Sequence, residues 1–246
     1  MSDKISELKE LVEKSSRIVF FGGAGVSTES GIPDFRSTDG LYNQQWDYPP
    51  ETILSATFFH NNPKEFYRFY REKIMLQNSE KEILPNNAHK KLAELEQKGK
   101  LIGVVTQNID GLHQKAGSKK VFELHGSILR NYCTKCHKFF DAEYIKSHED
   151  KNGIPCCDEC GSIIKPDVVL YEEGLDDETV SGALSAISSA DLLIIGGTSL
   201  TVYPAAGFIK YFRGDKIILI NRDPTANDNI ADLIIHDSIA KVLSQI

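Results

Sequence analysis

Long hydrophobic runs are missing from this 246-residue chain. The longest apolar stretch toward its C-terminus, Leu192 to Ile195, is a fraction of the roughly 20 residues that span a bilayer, so no membrane partner is expected. An excess of positive charge is missing too. The net charge is −7, and without a basic surface no direct nucleic-acid binding is expected. Met1 to Ser16 is charged and amphipathic and lacks the apolar core of a secretory signal, so the expected location is cytoplasmic. Internal repeats and low-complexity linkers are absent as well. What remains is 41% hydrophobic and 26% charged, an ordinary folded chain long enough for one large α/β domain or one carrying an inserted module.

Ile18 to Phe21 is a short apolar run that ends in Gly22, Gly23 and Gly25. This pattern reads as a buried parallel strand turning sharply into a loop. Glycines there let backbone N–H groups approach a phosphate, although such turns also carry glycine for packing alone. The usual dinucleotide fingerprint is incomplete. Thr28 stands where a third glycine belongs, and no second strand appears before Leu101, which argues against an ordinary dehydrogenase.

Along the chain, Ile5, Leu8, Leu11 and Val12 predict an amphipathic helix over 2–14. Asn62-Pro63 suits the N-cap and first position of an aromatic helix reaching about Gln77, and Asn87 to Lys98 forms another helix closed by Gly99. Strands are expected at Leu101–Thr106, Val121–Leu124, Asp167–Leu170, Leu192–Ile195, Lys216–Ile220 and Leu233–His236. Helices are expected at 111–116, 176–187 and 204–211, with Ser238 capping the last one. The alternation predicts an α/β fold, a doubly wound parallel Rossmann-like sheet, with a smaller inserted helical and zinc-binding domain. The division expected is 1–36, 88–125 and 167–246 for the sheet domain, against 37–87 and 126–166 for the small one.

Five cysteines mark the most specific local pattern. Cys133 and Cys136 are separated by two residues, as are Cys157 and Cys160, with twenty residues between the pairs. That is the spacing of two knuckles on one structural zinc, four thiolates closing the tetrahedron. Cys156 pairs less well with Cys160 and is read as a spare thiol. At the expected ends of strands, Gln107, Asn108 and Asp110 offer amides and a carboxylate on a tight turn, or simply cap a helix. His125, followed by Gly126, is well placed as an exposed base, while His113 is the weaker candidate, placed to pack or cap. Gly196-Gly197-Thr198-Ser199 is a second glycine turn with hydroxyls for a phosphate, and Asn221 is placed for a ribose hydroxyl.

Taken in order from about Arg17 to Ser238, these motifs resemble the sirtuins, the NAD-dependent protein lysine deacylases. The resemblance is carried by Gly23-Ala24-Gly25-Val26-Ser27, Gly31-Ile32-Pro33-Asp34-Phe35-Arg36, Thr106-Gln107-Asn108-Ile109-Asp110-Gly111-Leu112-His113 and Glu123-Leu124-His125-Gly126. The two cysteine pairs, Gly197-Thr198-Ser199-Leu200, Val202-Tyr203-Pro204-Ala205-Ala206 and Ile220-Asn221 complete it. It implies that NAD is consumed as a co-substrate and that acylated lysine side chains of proteins enter a cleft beside a zinc-bearing domain. It also implies that Ala24, Thr28, Phe35, Arg36, Gln107, Thr198, Ser199, Asn221, Asp237 and Ser238 line the NAD site. Ile109 and Asp110 receive nicotinamide, His125 is the general base, and Asn108 positions ribose and water. The alternatives are transfer of ADP-ribose to a protein side chain and a non-enzymatic NAD-sensing module. Two departures stand out. Lys165-Pro166 replaces the usual Arg-Pro, and Tyr171-Glu172-Glu173 replaces Phe-Gly-Glu. Members that prefer acidic acyl groups carry Tyr-x-x-Arg on the aromatic helix. Here Tyr67 is followed by Tyr70, with Arg71 one place later, so neutral acyl groups are expected over succinyl.

Overall fold

Every residue of the first strand, β1 (Ile18–Gly22), is buried, as a strand covered on both faces requires. The computed structural model describes residues 2–35, 40, 46–75 and 82–246. The strands that follow are β2 (Leu101–Thr106), β3 (Val121–Glu123), β4 (Gly126–Cys133), β5 (Phe139–Asp141), β6 (Ile164–Val168), β7 (Leu192–Gly196), β8 (Lys216–Asn221) and β9 (Leu233–His236). Six of them form one parallel sheet in the order β3-β2-β1-β7-β8-β9. The chain builds outward from β1 on one side, then returns to the other side at β7. The β1/β7 boundary is therefore the topological switch point, where open α/β sheets hold ligands outside the carboxyl ends of their strands.

Alternation along β1 sorts the two faces. Ile18 and Phe20 pack with Ile5, Leu8, Leu92, Leu95 and Val242 from the helices Ser2–Lys14, Asn87–Gln97 and Ile239–Leu243. Val19 and Phe21 pack on the opposite face with Ala183 and Ile187 of the helix Asp177–Ser189 and with Phe208. The caps expected from sequence are in place. Asn62 accepts the Glu65 N–H, Ser238 accepts the Lys241 N–H, and Gly99 takes a left-handed φ of 72°.

Three segments depart from the sequence reading. The strand expected at Asp167–Leu170 is β6, which starts at Ile164 and pairs antiparallel with β4 in a small sheet of order β5-β4-β6. Pro166 donates no ladder hydrogen bond, and the outer position of β6 accommodates it. The aromatic helix is α-helical over Pro63–Phe69 and then widens to a π turn at Tyr70–Ile74; residues 76–81 lie outside the described region. The segment after the cis Tyr203–Pro204 bond is a 3-10 run, Ala205–Tyr211, and not an α-helix. A third core joins Phe59, Phe66, Tyr67 and Tyr70 of the helical segment to Phe140, Ile145, Cys157 and Ile164 around the small sheet.

Candidate active site and metal centre

The two glycine turns at the switch point lock together. The Gly25 N–H donates to the Gly197 carbonyl at 2.8 Å. Gly197 has a φ of 61°, and a Cβ there would sit 2.4 Å from the Val26 nitrogen, so no side chain fits. Behind this junction Asn221 grips Thr198 twice: its Oδ1 accepts the Thr198 N–H and its Nδ2 donates to the Thr198 carbonyl, both at 3.0 Å. Gln107 Nε2 donates to Thr198 Oγ1 at 3.1 Å, tying the end of β2 to the end of β7.

A cavity of about 1080 Å³ opens over these strand ends. It is roomy beside the few hundred to a thousand Å³ of ordinary ligand sites, which suits a dinucleotide together with a second substrate. Ala24, Thr28, Phe35, Gln107, Asn108, Ile109, Asp110, His125, Thr198, Ser199, Asn221 and Ser238 all border it. Asp237, which precedes Ser238, is not among the bordering residues; its carboxylate is held by Lys241 Nζ at 2.7 Å and the Ser238 N–H at 2.8 Å. Arg36 lies outside the described residues.

His125 sits two residues past β3 with its Nδ1 3.0 Å from the Gln107 carbonyl oxygen. A carbonyl only accepts, so Nδ1 carries the proton and Nε2 is left with its lone pair. Burial lowers the imidazole pKa against the opposing pull of that hydrogen bond, which keeps the ring neutral at pH 7. The backbone around it is constrained by Gly126, whose φ is 74° and whose Cβ, if present, would stand 1.9 Å from the Asp167 carbonyl oxygen.

Ser27, within the first motif but not singled out from the sequence, is the hub of the buried polar groups. Its Oγ donates to Asp110 Oδ2 at 2.7 Å and accepts from Asn108 Nδ2 at 3.1 Å. Asp110 Oδ1 accepts the Leu112 N–H at 2.8 Å. Burial raises the Asp110 pKa, and the bonds from Ser27 and Leu112 oppose that rise. Behind Ser27 stands His89, buried on the helix Asn87–Gln97. The Asn86 N–H approaches its Nδ1 at 3.3 Å, and its Nε2 lies 3.5 Å from Ser27 Oγ. Burial pulls His89 down to about 4 and His113, against which it packs at 4.7 Å, to about 3. Both rings are therefore neutral. His113 packs, as the weaker reading of it allowed, and has no hydrogen-bond partner among the described residues.

The sulfurs of Cys133, Cys136, Cys157 and Cys160 all lie within 4.8 Å of one another, with close pairs at 3.3 and 3.6 Å. Zn–S bonds of about 2.3 Å in a tetrahedron place sulfurs about 3.8 Å apart, so the cluster fits a zinc ion. Cys133 Sγ also receives the N–H groups of Lys135 and Cys136, the backbone half of a knuckle. Cys156 stands apart from the cluster, its Sγ on the Ile154 carbonyl. The two departures in the neighbouring strand are braced. Lys165 pairs with Glu173 at 3.0 Å, and Glu172, at a left-handed φ of 78°, accepts the Thr57 N–H at 2.9 Å.

Fold and site together define a doubly wound enzyme with a switch-point nucleotide cleft, a neutral histidine at its wall and a closed four-cysteine metal module. Residues 23–204 match the Sir2 family, and the chain belongs to it. It is 61% identical to an NAD-dependent protein deacetylase of Clostridium acetobutylicum, across 99% of this chain and 98% of that one. It is 58% identical to the protein of the same description from Clostridium perfringens, covering 100% and 99%. Among solved structures, a Sir2 with a deacetylated p53 peptide and 3'-O-acetyl ADP ribose matches with a TM-score of 0.87 at 39% identity, covering 98% of this chain and 96% of that one. Sir2Tm bound to a propionylated peptide matches at 0.85 and 39%, covering 98% and 95%.

Proposed function

We propose that this protein is an NAD-dependent protein lysine deacetylase that transfers the acyl group of lysine to ADP-ribose and releases nicotinamide. Bound NAD supplies the electrophilic ribose carbon and the leaving nicotinamide. The observation that carries the roles assigned within the cleft is His125: a neutral imidazole with its proton fixed on Nδ1 and its Nε2 free to take a proton from a ribose hydroxyl. Asp110 and Ile109 receive the nicotinamide, and Asn108, turned by Ser27, positions ribose and water. Thr198, Ser199 and Asn221 hold the nucleotide, with Ala24, Thr28, Gln107 and Ser238 around it; the resemblance assigns Arg36 and Asp237 to the same nucleotide. Phe35 covers the reacting face and keeps water out. We assign 1–36, 88–125 and 167–246 to the NAD-binding part and the remainder to the small domain, and place the protein in the cytoplasm, where cysteines stay reduced.

Neutral acyl groups are the preferred cargo. Arg71 does not serve as an anion receptor, because its guanidinium donates to the carbonyls of Ile145 and Gly153 and pairs with Glu149 at 2.7 Å. Faster turnover of a succinyl-lysine peptide than of its acetyl counterpart contradicts this assignment. The role of His125 is tested by incubating wild type and His125→Ala with acetylated peptide, NAD and labelled nicotinamide. The wild type yields free lysine peptide, whereas the variant exchanges label into NAD while free lysine peptide forms about 10²- to 10⁴-fold more slowly. Peptide carrying ADP-ribose in place of free lysine favours the transferase alternative.

A further inference from the structure

Glu172 holds a left-handed backbone at φ 78°, which few residues other than glycine adopt, and it is exposed where it borders the large cavity. A backbone cost that glycine would avoid points to a use for the side chain. The segment around it is clamped. The Tyr171 N–H donates to the Leu54 carbonyl at 2.9 Å, the Tyr171 carbonyl accepts the Ala56 N–H at 3.0 Å, and Glu172 Oε2 accepts the Thr57 N–H at 2.9 Å. Hydrogen bonds from the Thr57 side chain and N–H hold the Glu172 carboxyl below the ordinary glutamate range, so it is ionised at pH 7. A carboxylate has about four acceptor sites, and Thr57 takes only part of them. The result is a negative charge fixed in position, with capacity for a further donor.

Its place in the cleft selects what that donor belongs to. The Val169 N–H donates to the His125 carbonyl at 3.0 Å, and the chain from Val168 to Glu173 borders the cavity. The three residues from Val169 to Glu172 reach at most about 11 Å. An acyl group that meets His125 hangs on a lysine side chain of similar length, so the peptide residues flanking that lysine come within reach of Glu172. The neighbouring charges do not duplicate it. Glu173 is paired with Lys165 at 3.0 Å and Lys73 with Glu72 at 3.1 Å, while Lys146 borders the cavity as a cation.

We propose that Glu172 is a specificity-determining residue for the peptide, its carboxylate pairing with a lysine or arginine one or two positions from the acyl-lysine, so that acylated sites in basic surroundings are favoured over those in acidic ones. This rests on the deacylase reading given above. An exposed charge pair of this kind corresponds to roughly 2- to 5-fold and weakens as salt screens it.

The test uses acetyl-lysine peptides that differ at a single position, one or two residues before or after the acyl-lysine, occupied by arginine or by glutamate. The kcat/KM ratio of the arginine peptide to the glutamate peptide is taken at each position in wild type, Glu172→Gln and Glu172→Lys, and thermal melts establish that the variants fold. Glutamine keeps an oxygen for the Thr57 N–H and loses only the charge, so a merely structural role of Glu172 leaves the ratio unmoved. Glu172→Gly, which suits the left-handed backbone, serves the same comparison if the others do not fold. The expected result is a wild-type ratio above one for at least one position, falling by roughly 2- to 5-fold in Glu172→Gln and further in Glu172→Lys. The difference between the proteins shrinks as salt rises from about 0.1 to about 1 M. Equal ratios in wild type and Glu172→Gln at every position, or a wild-type preference for glutamate throughout, overturn the inference while acetyl turnover leaves the deacylase reading standing. Absence of turnover on every peptide sinks both.

Discussion

Replacing Ser27 by alanine removes one oxygen atom and leaves two buried groups without their partner. Asp110 Oδ2 loses its 2.7 Å donor and Asn108 Nδ2 its 3.1 Å acceptor, in a region where Ser27 itself is 1% exposed. A hydrogen bond to a charged acceptor contributes about 1.5–3 kcal/mol and a neutral one about 0.5–1.5 kcal/mol. The expected destabilisation is therefore about 3 kcal/mol at pH 7, or roughly 6–12 °C in Tm for a chain of this size. Its pH dependence has a defined sign. The Ser27 bond stabilises the ionised carboxylate and holds down a pKa that burial has already raised, so its loss raises that pKa further. The difference between wild type and Ser27→Ala is then largest where Asp110 is ionised in the folded protein and shrinks as pH falls through its titration. Urea melts of both proteins across pH 4–8 read this directly, with the NAD concentration dependence of turnover as the functional counterpart. Equal melting of the two proteins, or a difference that grows toward acid, refutes the assignment of Ser27 as the group that orients Asp110 and Asn108.

Because burial lowers the His125 pKa, the acid limb of kcat/KM is expected below the ordinary histidine value of about 6.5, and His125→Ala is expected to lose about 10²- to 10⁴-fold in kcat/KM; a limb above that value contradicts the neutral-base geometry. Cys133→Ser removes one thiolate of the cluster and is expected to lower bound zinc, measured by elemental analysis, from one ion per chain, and to loosen the aromatic core that Cys133 shares with Phe66 and Ile145. Full zinc retention and an unchanged near-ultraviolet spectrum contradict it. In Gly126→Ala, a Cβ directed at the Asp167 carbonyl adds a clash to a left-handed backbone cost. Together these amount to about 3 kcal/mol or more, read as a Tm loss of at least roughly 6 °C with an accompanying fall in turnover, because His125 precedes it.

The sheet was legible because its strands are uninterrupted apolar runs. Leu101–Thr106 and Leu233–His236 have the bounds their sequence suggests, and the helix over 2–14 follows its leucine spacing. Cys157, not Cys156, joins the metal cluster, as the two-residue spacing indicated. β6 was misplaced because a lysine, a proline and an aspartate interrupt its apolar residues, and only its pairing with β4 turns Ile164, Pro166 and Val168 to one buried side. The polar hub was hidden for a different reason. Ser27 and Asp110 are 83 residues apart, and nothing local to either announces the bond between them. Asn221 was placed correctly at the end of β8, but spacing alone does not reveal that both ends of its amide brace the Thr198 backbone.

The most direct measurement of the central claim is the stoichiometry of a single reaction followed by mass spectrometry. Wild-type protein, an acetyl-lysine peptide and NAD are expected to give deacetylated peptide, nicotinamide and O-acetyl-ADP-ribose in equal amounts, with no product when NAD is omitted. Nicotinamide and ADP-ribose released without deacetylated peptide, or free acetate appearing at the same rate in the absence of NAD, contradicts it.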